Sequence, residues 1–226
     1  MKENFFAVVC LLIVFLFISC TSQDSNVYIA VPEENFFTYE ETIGLDTGNI
    51  IETKEGADSL PYWLEAFLYG GIESVESSRQ FQDKYAFIGI HEGANFFTLA
   101  RWADNFSAVL DLPMLAAARI EKNLIKSASL YPDDEYGRFF ERLVKNAYNA
   151  DYPGAVKEDT YWIKINTGEP QDASEAYMFF VLISIDRQIM QNLINEMITQ
   201  TLHSVTPTRS QTSSINNMRQ SFFEGF

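Results

Sequence analysis

A chain of 226 residues, 47% hydrophobic and 15% aromatic, is long enough to bury the core of one domain. Its formal charge of −15 is repelled by phosphate backbones and anionic lipid heads, which argues against a nucleic-acid partner and leaves solubility as the plainest reading of the acidity. Only two cysteines occur, Cys10 and Cys20, so a disulfide-stapled fold or a cysteine-built metal site is not expected and stability must come from packing.

In chain order, Met1 to Asn4 is followed by an apolar run of fourteen residues from Phe5 to Ile18. As a helix this run reaches about 21 Å, short of the roughly 30 Å hydrocarbon core of a bilayer. Lys2 gives a basic start that Glu3 offsets, and small Ser19 precedes Cys20, as in a cleaved signal segment. Phe17-Ile18-Ser19-Cys20, followed by polar Thr21 to Asp24, resembles a lipobox, with Phe17 where Leu is usual, as in the relaxed form found in spirochaetes. The resemblance implies cleavage before Cys20, diacylglycerol on its thiol and an acyl chain such as palmitate on the new amine. Residues 1–19 are then the lipoprotein signal peptide. The mature chain is held to the membrane of a bacterial cell envelope, at the periplasmic face or the outer membrane. An ordinary secretory signal with a chance cysteine, or an uncleaved anchor, are the competing readings.

Residues 20–58 read as an acidic tether. Positions 21–58 carry nine acidic residues against Lys54 alone, with strand-like pieces at Val27 to Val31 and at Phe36-Phe37. A compact domain is expected over 59–203. Pro61 suits the first turn of a helix whose apolar face is Trp63, Leu64, Phe67 and Leu68, ended by Gly70-Gly71. Tyr85 to Ile90 reads as a strand broken by Gly93. Helical spacing returns from Asn95 to Leu110 through Phe97, Ala100, Ala103 or Asp104, and Phe106. Asp111 is placed to cap a further helix with Ala117, Ile120, Leu124 and Ala128 inward and Arg119, Glu121 and Lys122 outward. After Tyr131-Pro132-Asp133-Asp134, a third stripe runs through Phe139, Leu143 and Ala147.

The pattern then changes to period two. Gly154 to Ile165 alternates Tyr161, Ile163 and Ile165 against Trp162 and Lys164, and Ala176 to Ile185 is apolar on both faces, which predicts an antiparallel hairpin. Asp186 caps a helix with the stripe Met190, Leu193, Ile194, Met197 and Ile198. Residues 204–226 read as a polar linker to Asn217, then a short aromatic segment. Its residues Phe222, Phe223 and Phe226 share one helical stripe with Met218, as candidates for docking on the domain or on a partner. The order of elements predicts an α+β fold, a small, mainly antiparallel sheet covered by helices.

Several stretches resemble spirochaetal, Treponema-type lipoproteins: Leu60-Pro61-Tyr62-Trp63, Arg101-Trp102-Ala103, Ala118-Arg119-Ile120, Pro132 to Phe140, Asp159 to Lys164 and Leu182 to Asp186. More distantly, the Ala-rich helix followed by a Trp-bearing strand, an aliphatic strand and a helix is similar to small antigenic lipoproteins of Gram-negative bacteria. It is similar too to the N-terminal domain of the flagellar assembly protein T. The resemblance covers residues 60–226 and implies a small envelope module, not an enzyme, with no catalytic residues to carry over.

The residues support the same expectation. His91-Glu92 begins like a zinc-protease motif, but Gly93, Ala94 and Asn95 follow and no second His stands at helical spacing. His203 is the only other histidine, and no G-x-S-x-G elbow supports a serine triad. Asp133-Asp134-Glu135 lacks a calcium-loop pattern and suits a helix start. Glu121, Glu141 and Asp159 share no spacing that would make them a catalytic pair. No catalytic residue, cofactor or metal site is therefore expected. The expected function is a lipid-anchored, non-catalytic protein-interaction or scaffold module with an envelope protein as partner. The alternative is a small-ligand-binding lipoprotein whose pocket is lined by Trp63, Trp102, Trp162, Tyr161 and Phe179, residues that at this aromatic density are more often core.

Overall fold

The computed structural model describes residues 43–56, 59–128, 137–167, 174–205 and 208–224. The strands are β1 (Ile50–Thr53), β2 (Lys84–Gly93), β3 (Val156–Thr167) and β4 (Ser174–Asp186). They form one antiparallel sheet in the order β1-β3-β4-β2. The helices are α1 (Tyr62–Glu76), α2 (Phe96–Asn105), α3 (Leu112–Ala128), α4 (Gly137–Tyr148), α5 (Arg187–Val205) and α6 (Arg209–Glu224). The α+β class and the antiparallel sheet expected from the pattern are both present.

Alternation along each strand explains the two cores. In β2, Tyr85 and Phe87 face one side while Ala86, Ile88 and Ile90 face the other. In β4, Phe179, Val181, Ile183 and Ile185 oppose Ala176, Phe180 and Leu182. β4 reads as continuously apolar because it is an inner strand with helices over both faces. On one side Trp63, Leu64, Phe67 and Leu68 of α1 pack with Tyr161, Ile163 and Ile165 of β3. On the other lie the buried stripes of α2 to α6, among them Ile120, Leu124, Phe139, Leu143, Met190, Ile194 and Ile215. Each such side chain contributes about 1.5–3 kcal/mol on burial.

Several boundaries differ from the pattern, each for a local reason. Gly70-Gly71 does not end α1. Gly71 adopts φ 72°, a left-handed conformation open to glycine, and kinks the helix, which continues to Glu76. Asp111 does not cap α3 in the expected way; its carboxylate accepts from the Ser107 N–H at 2.6 Å and fastens the preceding turn. Asp186 behaves as expected, accepting from the Ile189 N–H at the start of α5.

The domain also begins earlier than residue 59. β1 pairs with β3, and Ile43, Leu45 and Ile50 pack on the α1-side core, so the end of the expected tether belongs to the fold. The expected polar linker over 204–217 is largely helical: α5 runs to Val205, and α6 starts at Arg209 and buries Ile215 to 3% exposure. Cys20, the strand-like pieces at 27–31 and 36–37, Asp133-Asp134-Glu135 and Phe226 lie outside the described residues. Phe222 and Phe223 are on α6, and their side chains are likewise outside the description.

Candidate functional site

Arg119, expected outside, is only 3% exposed. Its guanidinium donates to both carboxylate oxygens of Glu76, at 2.8 and 3.2 Å, and to the Ala86 carbonyl at 3.2 Å. Glu76 in turn accepts from the Ala86 N–H at 2.8 Å. Ala86 lies on β2, a strand at the end of the sheet order. The ion pair therefore does what a neighbouring strand would do, supplying one donor and one acceptor to an edge residue. Arg187 joins from α5, lying 4.2 Å from the Tyr85 ring centre and donating to the Lys84 carbonyl. The cluster ties α1, α3 and α5 to β2.

A similar arrangement guards β3. Lys54 donates to the Thr160 carbonyl at 2.7 Å, and Asp159 accepts from the Thr160 N–H and from Trp63 Nε1. Glu158 accepts from Lys84 at 2.6 Å and from Ser184. Burial alone would raise the Glu158 carboxyl, but those two hydrogen bonds and the Lys84 charge hold it below the usual carboxylate range. Burial lowers His91, whose ring meets Trp102 edge-on at 5.1 Å on β2, while His203 is exposed in the last turn of α5. Glu121 on α3 and Glu141 on α4 are exposed, and Asp159 is committed to Trp63. Among the described residues, no group of three or more His, Asp or Glu side chains is placed to hold a metal ion.

The aromatics named from the sequence divide between the two faces. Trp63 and Tyr161 belong to the α1-side core, whereas Trp102, Trp162 and Phe179 lie on the opposite side. They do not line one pocket. Trp162 and Phe179 do come together, nearly stacked at 6.4 Å, with two residues the pattern did not single out. Phe96 sits edge-on to Trp162 (5.2 Å), Tyr177 (5.2 Å) and Phe179 (5.4 Å). Phe97 follows at 5.8 Å from Phe96 and is 84% exposed. At the rim Lys164 pairs with Glu175, which raises the Lys164 ammonium, and it lies 5.7 Å from the Tyr177 ring centre.

Asn95 positions this surface. Its side chain accepts from the Thr98 N–H and makes Phe96 the first residue of α2. Phe96, Leu99, Ala100 and Ala103 then turn towards the sheet, and Phe97 turns out. The result is a half-open aromatic surface rimmed by one ion pair. It offers edge and face contacts to an apolar or aromatic surface. Val109 and Leu110 are also exposed, on the turn between α2 and α3 that Asp111 fastens.

Among the described residues no helix is long and apolar enough to cross a membrane. Comparison with known proteins adds no relative: no protein-family model, no curated protein and no solved structure matches the chain.

Proposed function

We propose that this protein is a lipid-anchored module of the bacterial cell envelope that acts by binding another protein, without catalysis. The anchor rests on the sequence: the Phe5 to Ile18 run, Ser19 and Cys20. Each buried CH₂ of an acyl chain contributes about 0.8 kcal/mol, so several chains hold a soluble domain at a membrane. The stretches that resemble spirochaetal lipoproteins favour the same setting.

The observation that carries the binding role is the exposure of Phe97 beside the Phe96, Trp162 and Tyr177 rings. A shallow aromatic surface suits a protein partner, since aromatic residues dominate the energetically important centres of interfaces. A small-ligand site would instead enclose its ligand among convergent polar groups. The division of Trp63 and Tyr161 from Trp102, Trp162 and Phe179 between two faces weighs against the pocket that those five were expected to form.

The anchor is tested by fractionating cells that express the full chain or Cys20→Ser, together with the mass of the mature N-terminus. The expected result is an acylated N-terminal Cys20 in the membrane fraction, and a soluble or unprocessed variant. Normal processing and membrane retention of the Cys20→Ser protein contradicts the reading.

A further inference from the structure

We draw no further inference here: the strongest candidate, the half-open aromatic surface where Phe96 and Phe97 of α2 meet Trp162 and Tyr177 of the sheet, belongs to the site already described, and nothing in the structure shows what covers it.

Discussion

At Ala86 side chains take the place of a neighbouring strand. The Ala86 N–H and C=O are taken by Glu76 and Arg119, which also bind each other with little exposure. Removing one member of a buried pair leaves an uncompensated charge and typically costs about 3–5 kcal/mol. Arg119→Met should lower stability by that order in urea unfolding. Glu76→Gln should cost a comparable amount, because it leaves the buried Arg119 charge without its carboxylate, and the double variant should cost less than the two single losses combined. Simple additivity would separate the two residues energetically. Arg119 stands seven residues after Leu112 and four after Leu115, on the same face of α3, so its position on a buried stripe was readable. Its partner was not, because Glu76 lies 43 positions away on another helix.

Glu158 gives a residue-scale prediction with a sign. Its folded pKa lies below its unfolded value, so its stabilising contribution is present above the unfolded pKa and is lost as pH falls through the folded one. Acid unfolding curves below about pH 4.3, the ordinary glutamate value, should therefore be shallower for Glu158→Gln. The effect should be small, about 0.5 kcal/mol, since Lys84 is well exposed. Identical acid limbs for the two proteins would contradict it.

At the scale of elements, the period-two and helical patterns were legible where one face is buried. β3, β4 and the stripes of α4 and α5 bury the expected faces, although β3 starts at Val156 and not Gly154, its register shifts between Lys157 and Asp159, and Leu193 is only half-buried. The misses fall where a cap or a long-range contact decides. A one-residue shift set by Asn95 exchanges Phe96 for Phe97 on the inward face of α2. The first part of α6, to Asn217, looked like linker because its sequence is Ser-, Thr- and Asn-rich, yet Ile215 is buried there, and Arg219 in the next turn donates to the Asn195 side chain of α5. Ile215→Ala should cost about 2–5 kcal/mol in thermal or urea unfolding, as for other deletions of a buried aliphatic chain. A change near zero would mean that α6 does not dock in solution. β1 was absorbed into the tether because four residues, Ile50-Ile51-Glu52-Thr53, carry too short a pattern to stand out. A fragment starting at residue 43 should unfold cooperatively like the full chain. One starting at residue 60 should be measurably less stable, having lost β1 and the contacts of Ile43, Leu45 and Ile50. Equal stability of the two fragments would show that β1 contributes nothing.

For the whole molecule, parts of the sheet edges are blocked, whereas the proposed aromatic contact face is open. β1 is short and carries the exposed Glu52, Ala86 of β2 is held by an ion pair, and Thr160 of β3 is held by Lys54 and Asp159. These devices block pairing with another strand at those residues. The surface around Phe97 remains the candidate contact, and the lipid proposed on Cys20 would concentrate it at the membrane. The most direct test places a photo-crosslinking amino acid at position 97 of the full-length protein in intact cells, with the exposed position of Glu65 on α1 as control. The account predicts a discrete adduct from position 97, none from position 65, and loss of the adduct when Cys20→Ser removes the anchor. No adduct at 97, or one equally strong at 65 and indifferent to the anchor, would contradict it.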